Sequence, residues 1–180
     1  MKTPTVQAEP YCMTPYSDVH DKLTVEWLNR PDIVASFGIS RSVTKESHRR
    51  WVDSSEGVLI WAVVDKKSAH CANVLLHLND RNRSGYFQIY VGNPAWRGQG
   101  IGTAVLRATL ATGFGQLGLH RIWLHTLQGN EAAENLYRKA GFVCEGKERD
   151  AVLRDGKFYH QLRWSIFERE WNKQQSSKLT

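Results

Sequence analysis

Tyr90-Val91-Gly92-Asn93-Pro94-Ala95-Trp96-Arg97-Gly98-Gln99-Gly100-Ile101-Gly102 is the stretch on which the reading of this sequence turns. It leaves an apolar run, Tyr86 to Val91, passes through a glycine-rich loop, and enters a segment where Leu106, Leu110, Phe114 and Leu117 recur close to every four residues. That order is strand, loop, amphipathic helix. Gly98, Gly100 and Gly102 carry no Cβ, so a ligand can approach the backbone closely, and the first N–H groups of the helix that follows have no partner within it. Such a terminus favours an anion, and Arg97 adds a positive charge at the same point. A phosphate group is the expected occupant. The spacing is not that of the phosphate loop ending in Gly-Lys-Ser/Thr. Nor is it a dinucleotide fingerprint, because the acidic residue after a second parallel strand is missing.

Outward from the loop, the apolar residues change period in an orderly way. On the N-terminal side, Val58 to Val64, Asn73 to Leu78 and Tyr86 to Val91 are apolar runs joined by short polar turns, which predicts an antiparallel meander of three strands. Ahead of them, Asp18 to Asn29 has helical spacing, with Ser17 or Asp18 as cap and Pro31 as stop, and Thr44 can cap a second helix running to Val52. On the C-terminal side, Arg121 to Thr126 alternates as a strand, and the helical crossover before it makes that strand parallel to its predecessor. Asn130 opens a helix that Gly141 closes. Phe142 to Leu153 and Phe158 to Phe167 flank Arg154-Asp155-Gly156-Lys157, whose Asp-Gly pair is a hairpin signal. The sum is a mixed α/β sheet in one domain, residues 10–171, with a flexible leader over 1–9 and a disordered tail over 172–180.

Composition narrows the partners. The chain has 180 residues, 41% of them hydrophobic, enough for one ordinary core. No run approaches the roughly 18 apolar residues of a membrane span, and no secretory signal opens the chain, so a cytoplasmic protein is expected. The net charge of +6 is spread along the sequence, with doublets such as Arg49-Arg50 and no dense tract; a solvated basic surface, not a nucleic-acid interface, is the reading. Cys12, Cys71 and Cys144 are widely spaced, so neither a disulfide framework nor a metal site is expected. A homodimer is compatible with all of this.

Arg97-x-x-Gly100-x-Gly102 resembles the pyrophosphate motif of the GNAT (GCN5-related) N-acetyltransferases, and Asn130-x-x-Ala133-x-x-Leu136-Tyr137-x-x-x-Gly141-Phe142 is similar to that family's second signature. The resemblance covers roughly residues 10–171. It implies a GNAT fold with splayed parallel strands, and acetyl-CoA as cosubstrate without a metal. It implies that backbone groups of Ile89, Tyr90 and Val91 pair with the pantetheine arm, and that Arg97, Gly98, Gln99, Gly100, Ile101, Gly102 and Thr103 hold the pyrophosphate. Asn130 resembles the asparagine that hydrogen-bonds the pantetheine, with Asn135 also reaching the coenzyme. Tyr137 resembles the tyrosine that protonates the departing thiolate. That role is chemically sound: an amine attacking a thioester expels a thiolate, and a donor near the sulfur lowers the barrier. Tyr137 also has helical spacing suited to packing on a buried face.

The acceptor side is less determined. Trp27-Leu28-Asn29-x-Pro31-Asp32-Ile33, Gly156-Lys157-Phe158-Tyr159-His160 and Glu170-Trp171 resemble the branch of ribosomal-protein N-terminal, spermidine and amino-sugar acetyltransferases. This implies that Trp27, Asn29, Tyr86 and Tyr159 line an acceptor site for a small-molecule or peptide amine, either a protein N-terminus or an amino (nucleotide-)sugar, with a polyamine as the alternative. A non-catalytic acetyl-CoA sensor is the competing class. Many relatives place a basic glutamate where this chain has Tyr86, so His77, His125 and His160 are the candidate bases.

Overall fold

The computed structural model describes residues 2–37, 39, 42–154 and 156–177, without the side chains of Ser36 and Phe37. Close contacts divide the chain into two compact units: Met1–His77 with Gln88–Val105, and Leu78–Phe87 with Leu106–Thr180. Each is built from two stretches of chain. The elements in order are β1 (Val6–Ala8), β2 (Tyr11–Pro15), α1 (Asp21–Leu28), α2 (Pro31–Phe37), α3 (Lys45–Ser54), β3 (Val58–Val64), β4 (His70–Asn79), β5 (Ser84–Val91), α4 (Ile101–Ala111), β6 (Arg121–Leu127), α5 (Glu131–Lys139), β7 (Val143–Arg154), β8 (Lys157–Phe167) and α6 (Glu168–Ser176). The strands lie in the order β1-β2-β3-β4-β5-β6-β8-β7. This is the mixed α/β architecture that the sequence pattern predicts.

In the first unit the apolar run of β3 is buried from Leu59 to Val63, so a near-continuous hydrophobic strand, not an alternating one, is what the position requires. β2 and β4 flank it antiparallel, Met13 opposite Val63 and Val74 opposite Trp61. The Ser17 cap is used by a 3-10 turn, Asp18–His20, that leads into α1. Thr44 caps α3 by accepting from the Ser47 N–H at 3.1 Å, while the Ser47 hydroxyl returns the bond to the Thr44 N–H. Two expectations are corrected. Residues 6–8 of the supposed leader form β1, paired Val6 to Met13 and Ala8 to Tyr11, and the Trp61 indole donates to the Pro4 carbonyl at 2.7 Å. Pro31 does not stop the helical region but opens α2, since proline is well suited to a first helical turn.

In the second unit, β6 runs parallel to β5 with Ser84–Tyr86 in register with Arg121–Trp123, as the helical crossover demands. Ile122, Leu124 and Thr126 are buried and alternate with half-buried Arg121, Trp123 and His125. The Trp164 indole reaches across from β8 to the Thr126 hydroxyl at 3.0 Å. The tail is a second correction at the chain's ends: residues 172–176 continue α6, whose first turn is closed by Glu170 accepting the Phe167 N–H at 2.9 Å. Gln174 packs on Gly141, where a Cβ would sit 1.8 Å from its amide nitrogen; with φ at +92°, that position needs glycine twice over. Arg154 and Lys157 close the expected hairpin, and Gly156 has φ +73°. Asp155 lies outside the described residues, as do Met1 of the leader and residues 178–180 of the tail.

A buried polar knot fixes α1, β4 and β5 of the first unit to one another. Asn73 donates both amide protons, one to the Thr24 hydroxyl at 2.9 Å and one to the Tyr90 hydroxyl at 3.0 Å. Its Oδ1 lies 2.9 Å from His70 Nε2. With both protons of Asn73 committed, His70 must be the donor in that contact, and the other ring nitrogen, Nδ1, is buried without a partner. Burial accordingly pulls the His70 pKa down to about 4, against the Asn73 bond. Because this folded-state value lies below the ordinary one near 6.5, the contribution to stability is complete above pH 6.5 and lost as pH falls toward 4. Urea unfolding should show roughly 2 kcal/mol less stability at pH 5 than at pH 7 from this group. His20 and His48 are shifted the same way, so His70→Gln, which keeps a donor for Asn73 but does not titrate, should remove part of that slope. An unchanged slope would take His70 out of the account.

Candidate active site

The glycine loop is built as its sequence requires. Asn93 accepts the Ala95 N–H at 2.9 Å and starts a 3-10 turn over Pro94–Trp96. Gly98 and Gly100 then take φ of +75° and +81°, and a Cβ at either would meet nothing within 4 Å. Glycine is needed there for backbone shape, and the space beside it is open. The first bond closed within α4 runs from the Ala104 N–H to the Gly100 carbonyl at 3.0 Å, so the amides of Ile101, Gly102 and Thr103 stand at the helix start without an acceptor inside the helix. From below, the Tyr11 hydroxyl donates to the Gln99 carbonyl at 3.0 Å, and the Gln99 amide donates to the Ala95 carbonyl at 2.6 Å.

Arg97 is placed differently from expectation. Its guanidinium is hydrogen-bonded to the Asp32 carboxylate and lies 3.4 Å from the Val91 carbonyl. The Arg97 bond comes first among the influences that hold the Asp32 carboxyl below its usual range; burial opposes it, and Arg30, 3.2 Å away, adds to it. The charge that the sequence reading gave to a phosphate is balanced here by α2. The helix-start amides and the open glycine space remain as features that suit an anion.

Ile89 and Val91 are half-buried, and Tyr90 is buried with its hydroxyl on Asn73. All three lie beyond the β5–β6 register, which ends at Tyr86. Trp27 and Asn29, expected to face an acceptor, serve the scaffold. Trp27 is 4% exposed and packs in a cluster with Ile33, Ile60, Leu75 and Tyr90. Asn29 donates to the Val25 and Val43 carbonyls at 2.8 and 2.7 Å and accepts the Val43 N–H at 2.9 Å, pinning the segment before α3.

The side chains that do line a cavity in this unit were missed. A cavity of about 310 Å³ has an apolar wall of Leu28, Ile39, Val43, Trp51, Ile60 and Leu75. Its polar lining is Tyr16, Ser47, His48, Gln88 and Tyr90. Beneath the Tyr16 end lies Asp21, fully buried, which accepts from Arg49 at 2.5 and 3.2 Å and from the Tyr16 hydroxyl at 3.1 Å. Burial opposes the Asp21 carboxylate, yet the bonds from Arg49 and Tyr16 hold its pKa below the ordinary value. Since the Tyr16 proton goes to Asp21, His48 Nε2, 2.9 Å away, donates to the Tyr16 oxygen. Burial also lowers the His48 pKa. The signal available in the sequence was His48-x-x-Trp51, an i, i+3 pair that faces one way on a helix and stacks here at 5.9 Å.

The second unit carries the other predicted residues. Asn130 caps α5, its Oδ1 accepting the Ala133 N–H at 3.2 Å, and Asn135 accepts from Arg138 at 2.8 Å; both are exposed. Tyr137 is 6% exposed, its ring 5.7 Å from Phe142. Burial first, and then nearby Tyr86, raise its pKa well above the ordinary phenol value, so the hydroxyl keeps its proton at neutral pH. Tyr86 lies against Trp123 at 4.5 Å, with His125 edge-on at 5.8 Å. Tyr159 is 43% exposed on the hairpin, under Arg154. Of the candidate bases, His77 belongs to the first unit, where it pairs with the cavity-lining Gln88 at 2.9 Å. His125 sits 3.3 Å from Glu148 and 3.4 Å from Arg163. His160 Nδ1 accepts the Asp150 N–H at 2.9 Å and braces the β7 bulge.

A family model described as an acetyltransferase (GNAT) domain matches residues 12–143, the stretch that holds both the glycine loop and α5. The chain belongs to the GNAT family. It is 30% identical over 97 residues to the spermidine N(1)-acetyltransferase of Escherichia coli (strain K12), a match covering 54% of this chain and 52% of that protein. It is 30% identical over 102 residues to YdaF of Bacillus subtilis (strain 168), whose name assigns it provisionally to ribosomal N-acetylation; that match covers 56% of this chain and 55% of the relative. The chain thus spans about half the length of the curated relatives it matches. In three dimensions the GNAT fold extends further: the spermidine N-acetyltransferase of Vibrio cholerae, solved with CoA and spermine, superposes with a TM-score of 0.85 over 91% of this chain and 98% of its own, at 21% identity.

The glycines around the loop carry different loads. At Gly92 a Cβ would fall 1.9 Å from the Trp27 ring, which is held in the core, whereas at Gly98 it would enter open space under an unfavourable φ only. Gly92→Ala should therefore lower unfolding stability by about 3 kcal/mol through overpacking, and Gly98→Ala by about 1 kcal/mol through left-handed strain. Equal losses in urea unfolding would contradict this division.

Proposed function

We propose that this GNAT protein binds acetyl-CoA at the loop Arg97–Thr103 and transfers the acetyl group directly to a primary amine. The observation that carries the reading is the opening of α4: two left-handed glycines, open space beside them, and three helix-start amides with no acceptor inside the helix. That combination suits a pyrophosphate on physical grounds. Backbone groups of Ile89 to Val91 are assigned to the pantetheine arm, with Asn130 and Asn135 as further contacts to the coenzyme. CoA is the ligand of the Vibrio relative, which supports the same assignment.

In the transfer, the neutral amine forms a C–N bond to the thioester carbonyl, the C–S bond breaks, and the sulfur leaves needing a proton. Tyr137 is assigned as its donor. The hydroxyl is held protonated by burial, which is the state a general acid must start from. The acceptor nitrogen must shed a proton, and His77, bonded to Gln88 in the cavity wall, joins His125 and His160 as a candidate for receiving it. Among acceptors, the largely apolar cavity favours a peptide N-terminus over an amino nucleotide-sugar or a polyamine.

Three measurements test this. Saturating acetyl-CoA should raise the melting temperature by mass action, and Gly100→Val should abolish the shift while the protein stays folded; no shift with the native chain would remove the cofactor assignment. Release of free CoA thiol with a mixed pool of amines separates an enzyme from a sensor, since a sensor releases none above hydrolysis. Tyr137→Phe keeps the ring and its packing, so acetyl-CoA affinity should stay near native while kcat drops about 10²-fold or more. A native kcat, measured where chemistry limits turnover, would mean that another group or water protonates the thiolate.

A further inference from the structure

The cavity in the first unit selects among amines by what it lacks. Six of its lining side chains are aliphatic or indole, and each polar one already has a protein partner: Tyr16 with Asp21 and His48, Ser47 with the α3 cap, the Gln88 carbonyl with His77, Tyr90 with Asn73. The carboxylate beneath it, Asp21, is compensated by the two bonds from Arg49 and is fully buried. Among the described residues, the lining offers a cation no carboxylate of its own. A second or third ammonium group of a polyamine entering this space would give up part of its hydration without a counter-charge in the lining, which is unfavourable. An apolar group gains instead. A cavity of about 150 Å³ already accepts a benzene ring, and this one measures about 310 Å³.

We infer that the acceptor amine carries an aromatic or branched aliphatic group that fills this cavity, and that polyamines are poor acceptors. The inference rests on the reading of the chain as an amine acetyltransferase and names the substrate class of that activity. Tyr90 links the two: its side chain lines the cavity, and its backbone belongs to the strand assigned to the pantetheine arm. The same apolar chemistry is offered by a small arylalkylamine and by a peptide that begins with a hydrophobic residue, and the experiment separates these sources.

Thiol release with the full chain is measured for phenethylamine, for a short peptide beginning with Phe, for spermidine, and for the series n-butylamine to n-hexylamine. The expected result is a kcat/KM at least tenfold higher for phenethylamine or the Phe peptide than for spermidine, rising about fourfold per added methylene along the alkyl series. Whichever of phenethylamine and the Phe peptide is the better acceptor identifies the source. Trp51→Ala, at a partly exposed wall residue, should lower kcat/KM for that acceptor about tenfold and leave acetyl-CoA affinity unchanged. Spermidine equal to or better than the apolar acceptors, or a Trp51→Ala enzyme with native selectivity, overturns the inference. If no amine is acetylated, the proposed activity falls, and the cavity is decided separately by titration calorimetry. Phenethylamine binding that is lost in Leu28→Asp upholds the apolar site, and no binding to the native chain overturns it.

Discussion

The first unit depends on one buried amide. Asn73 has a side chain with two donors and an acceptor, and the fold uses all three, on Thr24 of α1, Tyr90 of β5 and His70 of its own strand. A buried polar group left without partners is expensive, whereas a fully connected one specifies a single arrangement. Trp27 packs tilted against the His70 ring, 4.5 Å between centroids, and over Gly92, so the indole, the imidazole and the glycine backbone are set by the same knot. Strand β5, the first helix and the start of the glycine loop therefore share one structural origin.

Much of this was legible in the sequence because it depended on local chemistry. The glycine loop, the Asn130 helix start, the Thr44 cap and the continuous apolar run of β3 are short-range signals, and each lies where its residues predict. What escaped depends on distant partners. β1 is three residues long and gains strand character only from pairing with β2, and α6 is held by contacts such as Trp171 to Phe114, 57 positions apart in the chain and 6.5 Å apart between ring centroids. Trp27 and Asn29 were expected to line an acceptor site, but the pattern does not say which neighbour a helical residue faces; Leu28, next in sequence, is the one in the cavity wall. Arg97 shows the same limit, since its attachment to Asp32 spans 65 residues of chain.

The Vibrio relative shares the architecture over nearly its whole length at 21% identity, which is the degree of likeness at which a backbone plan persists while pocket walls are rewritten. In this chain the apolar wall of the cavity is supplied by Leu28 of α1, Trp51 of α3, Ile60 of β3 and Leu75 of β4, with Ile39 and Val43. The buried Asp21 carboxylate is held by Arg49, bridging α1 and α3.

The β1–β2 hairpin gives the glycine loop a backstop, because Tyr11 ends on the Gln99 carbonyl and Pro4 is tied to Trp61. Its consequence is one of proteolytic vulnerability: a cut before Pro4 leaves the Pro4, β1–β2 and Tyr11 contacts on the chain, whereas trimming past Tyr11 strips a loop 88 residues downstream of its lower support. Susceptibility at the extreme N-terminus is thereby coupled to the order of a loop that no protease need touch.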